Sequence, residues 1–354
     1  MASDWNTLGK TALALAIGAA SGALAYWVGM PLPWMLGPMI GNTAAAVLRL
    51  PIRSPTLLRP IVIPVIGVML GSALKPELVS QAGQWLLTLA IMPLFLFVAG
   101  LASILFYRKV AGFDPVTAFY AAMPGGVNEM IIMGGEAGGD DRRIALAHGS
   151  RVLIVVLFIG LFFGFVLDIQ RGGIGQPMTG MDELGLRDLA WLSAAAVAGA
   201  LLGRLLRLPA GLLLGPMILS GIAHLSGVVG LPPPTLAVIA AQIVLGTIVG
   251  CRFVGVPIGE IARNLGYGSV SSALMIAAAF GAAILVSALQ GPELARAFLA
   301  FSPGGLTEMS LLSLAMGQEP AYVSVSHLAR IFLVIVAAPV AARWLDVAPR
   351  EPKR

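Results

Sequence analysis

The chain has 354 residues, 58% of them hydrophobic and 11% charged, with a mean hydropathy of +0.91 and a formal net charge of +5. A soluble domain carries roughly twice that share of charged residues, so this composition excludes an ordinary soluble fold and predicts an all-α polytopic membrane protein. A single cysteine, Cys251, excludes an internal disulfide and a cysteine cluster, and three histidines without HxH or HxxxH spacing give no support to a metal or other cofactor.

The first apolar run, 9 to 29, has the small residues of a secretory signal, but Asp4 stands where a positive flank belongs and the run continues through Tyr26 and Trp27. It is read as a transmembrane helix. Further segments are predicted at 33–48, 57–74, 82–107, 115–138 and 141–167. The set then recurs at 188–205, 209–227, 235–253, 268–290, 294–317 and 320–345. The fifth segment of each set is interrupted, once by Pro124-Gly125-Gly126 and once by Pro303-Gly304-Gly305.

That recurrence is an internal duplication. AFYAAMPGGVNEMIIM, 118 to 133, aligns without gaps to AFLAFSPGGLTEMSLL, 297 to 312, sharing eight of sixteen residues at an offset of 179. His148 and Arg151 fall on His327 and Arg330 at the same offset, and LGPMI at 36–40 falls on LGPMI at 214–218 at 178. Two membrane repeats, 7–167 and 186–345, are therefore expected, joined by a polar connector, 168–185.

Charge placement predicts how the halves are related. If the two interrupted segments are re-entrant, ten helices cross the membrane and 16 Lys and Arg lie on the cytoplasmic side, against Lys75, Arg171, Arg187 and Arg296 outside. If they cross fully, the split falls to 13 against 7. The positive-inside rule prefers the first arrangement, with inverted halves and both termini cytoplasmic. The basic surplus is thus read as topology, and no nucleic-acid partner is expected.

A Pro-Gly-Gly break at membrane depth is tolerated only where protein or a watery cavity surrounds it. Paired breaks of this kind build the central site of many transporters, where half-helix ends and unwound carbonyls meet ions and substrates. Asn128 and Glu129 follow the first break, and Thr307 and Glu308 the second. The carboxylates are candidates for ion or proton coupling, with helix capping as the competing role. His148 with Arg151, and His327 with Arg330, share helix faces and are candidates for relay or charge balance. Glu129 and Glu308 are the expected partners of the two arginines. Arg151 and Arg330 either fix the broken helices in place or bind an anionic substrate. Asn42 and Ser220, beside the prolines of the LGPM segments, either line a cavity or sit at close helix packing, with packing the commoner use of Gly37 and Gly215.

The duplicated LGPM segments, the paired PGGxxEM motifs and the trailing HisxxArg resemble those of the AbrB family of bacterial inner-membrane proteins, over about residues 9 to 345. The resemblance implies a transporter-like inverted-repeat fold in a bacterial inner membrane. The family is also labelled an ammonia monooxygenase or a regulator of gene expression. The first label finds neither metal-ligand spacing nor a GxGxxG turn in this sequence. The expectation is a non-enzymatic secondary transporter of a small molecule or ion in the lipid bilayer, the alternative a non-transporting membrane regulator or sensor acting through a partner protein. A homo-oligomer is left open.

Overall fold

A computed structural model describes residues 2–74, 77–166, 179–208, 210–290 and 293–344. Most of the expected connector, with Lys75 and Arg171, lies outside them, as do Arg350, Lys353 and Arg354. The described residues form fourteen α-helices: α1 (Ala2–Trp27), α2 (Pro33–Val47), α3 (Arg59–Ser72), α4 (Glu77–Lys109), α5 (Pro115–Ala122), α6 (Val127–Glu136), α7 (Asp141–Val166), α8 (Leu186–Leu205), α9 (Gly211–Leu225), α10 (Thr235–Gly250), α11 (Ile258–Gln290), α12 (Leu294–Phe301), α13 (Leu306–Ala315) and α14 (Pro320–Trp344). Short 3-10 turns precede α3 and follow α10.

Among the described residues seven stretches are long and apolar enough to cross a membrane: Thr7–Trp27, Trp85–Lys109, Asp141–Phe162, Leu186–Leu205, Thr235–Phe253, Ile258–Leu289 and Pro320–Ala342. The protein is thus a multi-pass membrane protein. Three segments expected to cross fall short, because α2 and α9 have 15 residues and α3 has 14. At 1.5 Å per residue such helices reach about 22 Å, less than the ~30 Å of hydrocarbon.

The duplication is written in the backbone as well as in the sequence. Left-handed residues fall in pairs at the repeat offset: Gly29 with Arg207, Leu32 with Ala210, Arg49 with Gly227 and Gly138 with Gly317. Leu32 and Ala210 are the N-caps of α2 and α9. Both short helices therefore begin with the same chain turn, although one cap residue is leucine and the other alanine.

The described residues divide into two compact units, 1–81 with 156–256 and 306–324, and 82–155 with 257–305 and 325–354. Each unit draws helices from both sequence halves.

In the first unit the halves exchange helices at glycine crossings. A Cβ on Gly67 of α3 would lie 2.5 Å from the Leu213 carbonyl oxygen and 3.0 Å from Pro216 of α9, so the two backbones touch. Its counterpart Gly246 of α10 meets the Met35 carbonyl and lies 3.0 Å from Pro38 of α2. One turn on, Gly71 faces Met217 and Ser220, and Gly250 faces Met39 and Asn42. Contact at this range is the means by which small residues hold membrane helices together. Gly37 packs likewise on the backbone of Ser21 and Gly22. Two side chains tie the same crossings. Asn42 donates to Thr247 Oγ1 at 3.3 Å, and Ser220 donates to the Val68 carbonyl at 2.8 Å. Both are fully buried between helices, so packing is their structural role.

In the second unit the interrupted segment of the first half folds as a helical hairpin. Asp114 caps α5 by accepting from the Thr117 N–H at 2.9 Å, with Pro115 in the first turn where its missing donor costs nothing. The helix stops at Met123 because the residue before a proline is pushed to extended backbone, here φ −63 and ψ 125. Gly126 then caps α6, which runs back beside α5. Asp140 N–H donates to Thr117 Oγ1 at 2.8 Å, and Gly134 abuts Tyr120. The segment's two ends therefore lie together and the break forms its tip. Asp114→Ala is expected to lower thermal stability by about 1 kcal/mol through loss of the cap, and Asp114→Asn to retain most of it, as read in a melting curve.

Candidate functional site

A helix that stops leaves its last carbonyls without N–H partners. Those of α5 are met from α7. Tyr120 O lies 2.9 Å from His148 Nε2, and the Ala121, Ala122 and Met123 carbonyls accept from Arg151 at 3.4–3.5 Å. His148 Nδ1 lies 2.6 Å from Arg151 Nη2. A guanidinium only donates, so Nδ1 is the acceptor and the ring hydrogen sits on Nε2, donating to Tyr120 O. Four consecutive orphan carbonyls are thus satisfied by one His-x-x-Arg face, with a cation set at the negative end of the helix.

The second half repeats the arginine's part of this arrangement. Arg330 of α14 donates to the Ser302 carbonyl and to the Gly304 carbonyl, the latter at 2.7 Å. His327 is buried one turn before it. Arg151 and Arg330 are 3% and 2% exposed, and they lie within electrostatic reach of each other, like charge facing like charge.

The glutamates are placed differently from expectation. Glu129 is exposed, and its carboxylate folds back over Gly126, the N-cap of its own helix, where negative charge is favoured. Asn128 is exposed beside it, whereas Pro124 is buried and Gly125 abuts Val334 of α14. Pro303 and Gly304 are buried, and Gly305 is half-buried. Thr307 and Glu308 are half-buried and belong to the first unit, apart from the other twelve expected site residues. Both arginines donate to backbone carbonyls at the breaks. Proline-ended helices supply such acceptors at the arginine's own depth.

One charged residue escaped the sequence reading, which counted Arg252 with the cytoplasmic surplus. Its Nη1 is buried without a hydrogen-bond partner, and it feels the Glu308 carboxylate and, more weakly, Arg59. The repeat alignment held a signal, since the matching residue of the first half is Ala73. Among the described residues no group of three or more His, Cys, Asp or Glu is placed to hold a metal ion.

The family model described as "Transition state regulatory protein AbrB" matches residues 34–346. The chain belongs to the AbrB family. Two curated relatives align along nearly the full length of this AbrB-family chain. "Uncharacterized protein YhjN" of Bacillus subtilis (strain 168) is 28% identical, covering 100% of this chain and 97% of its own. "Putative regulator AbrB" of Escherichia coli (strain K12) is 24% identical, covering 99% and 98%.

Proposed function

We propose that this chain is a secondary transporter of a small solute or ion, built of two inverted halves and working by alternating access in a bacterial inner membrane, without enzymatic chemistry. The observation that carries the reading is the interrupted helix whose tip carbonyls are held by a buried His-x-x-Arg face, with a matching arginine at the second break. Irregular backbone so maintained inside an apolar protein is the usual material of a transport site.

Helix directions in the first unit support the inversion. The glycine registers run α10 beside α2 in the same sense, and α3 beside α9 in the same sense. Helices α2 and α3 are linked by residues 48–58, and in this reading α3 runs antiparallel to its repeat counterpart α10. The closeness of Arg59, opening α3, to Arg252, closing α10, fits that direction. Parallel repeats would give the reverse pairing. The hairpin of α5 and α6 supports five crossings and one re-entrant segment per half, and an odd count inverts the second half. Ten crossings with both termini cytoplasmic follow, the short α2, α3 and α9 among them.

Within this reading the two breaks form the transport site, and Glu129 and Glu308 couple flux to protons or sodium. Purified protein in liposomes under an imposed proton or sodium gradient, screened over organic anions and amines, is expected to show gradient-dependent uptake that Glu129→Gln and Glu308→Gln reduce. Equal flux in the glutamine variants removes the coupling role. Absence of flux in wild type removes transport.

The name of the Escherichia coli relative favours a second reading, a membrane regulator acting through a partner protein. Single cysteines beside Gly125 and Gly304, in a Cys251→Ser background, separate the two. Labelling from water is expected for a transport cavity, and inaccessibility from both sides for a regulator.

A further inference from the structure

We infer that the core of the second unit binds a small oxyanion, of carboxylate or sulfate chemistry, between Arg151 and Arg330, with the hydroxyls of Ser272 and Ser302 as further donors. This deepens the transport reading and rests on it for the anion's role as cargo. The site itself is testable without flux.

The charge balance points to an anion. Both guanidiniums are buried, and Arg151 lies within electrostatic reach of Arg330 as a like charge. Their carbonyl partners satisfy N–H groups but neutralise little. A helix C-terminus carries roughly half a negative charge, so the end of α12 offsets only about half of the Arg330 charge, and Arg151 adds to the positive field around it. A buried surplus of that kind is costly unless a counter-charge is present at least part of the time. Two ion pairs among this unit's described residues, Arg142 with Glu260 and Arg143 with Asp140, involve partly exposed side chains.

The donors point to oxygen as the ligand atom. Arg330 Nε is buried without a hydrogen-bond partner, although Nη1 and Nη2 of the same guanidinium are engaged. The hydroxyls of Ser272 and Ser302 are also buried without partners. Ser302 is the residue whose carbonyl holds Arg330. Ser272 lies one turn before Met275, whose sulfur is 4.0 Å from Arg151 Nη1, so it shares the face of α11 turned to that arginine. Unmet donors in a native interior call for an explanation, and an oxyanion accepts from guanidinium and hydroxyl alike. Chloride lacks separate acceptor atoms and is matched less well. A cation is opposed by both charges.

Isothermal titration of the purified full chain with sodium acetate, succinate and sulfate, against sodium chloride at matched ionic strength, tests the site. At least one oxyanion is expected to bind saturably and chloride not to. Carboxylate binding without sulfate, or the reverse, identifies which oxyanion the site takes. Arg330→Lys keeps the charge and loses the fork, and is expected to weaken binding about tenfold or more. Ser272→Ala with Ser302→Ala is expected to weaken it about tenfold, and Arg187→Gln, on an exposed position, to leave it unchanged. If Arg330→Lys does not fold, the serine pair decides. No saturable oxyanion binding to folded wild type overturns the inference, as does wild-type affinity in the folded serine double variant. Oxyanion binding without gradient-driven flux keeps the site and removes transport. Flux of a cation or neutral solute without oxyanion binding does the reverse.

Discussion

Valine at Gly246 or at Gly67 is expected to cost most of the folded protein, and to nearly the same degree at both positions. The added side chain meets backbone, the Met35 carbonyl in one case and the Leu213 carbonyl at 2.5 Å in the other. Backbone cannot swing aside as a flexible side chain can. Overpacking commonly costs about 1–3 kcal/mol where side chains yield, and an unyielding neighbour puts these variants at or above the top of that range. Yield of monodisperse protein in detergent and its melting temperature read the effect. Gly266→Val, with nothing within 4 Å of its Cβ position, is the matched control. Variants that melt with wild type would mean that these helices do not cross at backbone contact.

Arg330→Met is expected to destabilise more than Arg151→Met. Methionine keeps the apolar stem of arginine and removes the donors. At Arg330 this orphans the Ser302 and Gly304 carbonyls, and a buried unsatisfied group costs about 1–3 kcal/mol, so a loss of about 2–5 kcal/mol follows. The bonds of Arg151 are longer, at 3.4–3.5 Å, and His148 goes on holding Tyr120, so about 1–3 kcal/mol is expected there. Relief of the repulsion between the guanidiniums, and of their desolvation, opposes both losses. Melting curves give the ranking, and hydrogen exchange near residues 302–306 should rise in Arg330→Met. A raised melting temperature would show that the buried charge costs more than its carbonyl bonds return.

Much of the architecture was legible because membranes make sequence explicit. All twelve expected apolar segments overlap helices, although α11 begins at Ile258, ten residues before its expected start, and the two interrupted ones split within a residue or two of their proline. Pro38, Pro64, Pro93, Pro216 and Pro339 lie inside helices, so a proline alone does not end one; at Pro124 and Pro303 two glycines follow, and the run of three poor helix formers marks the break without tertiary context. The partners of Arg151 and Arg330 were not legible by charge alone. Glu129 and Glu308 were the nearest opposite charges in sequence, yet both arginines donate to carbonyls at the breaks, several of them left free because the helix stops. That signal was present, since a proline-ended helix implies orphan carbonyls, but it asks for helix ends to be counted alongside side chains. Arg252 was hidden because a charge at the end of an apolar run reads as surface in a count that cannot see depth. The crossings at Gly67 and Gly246 were hidden because small residues name no partner. The compact units were hidden for the same reason, as each borrows from both halves.

The exchange of helices between halves sets the order of events in biogenesis. When α3 enters the membrane, its docking groove on α9 is about a hundred and fifty residues from synthesis, the separation of Gly67 from Leu213. At translation rates of roughly 5–20 residues per second that gap lasts on the order of ten seconds. Until then Gly67 and Gly71 face lipid or a chaperone, and α2 waits for α10 in the same way. Insertion and assembly are therefore separate steps, and a chain truncated after its first half would reach the bilayer with the α9 and α10 sides of α3 and α2 open.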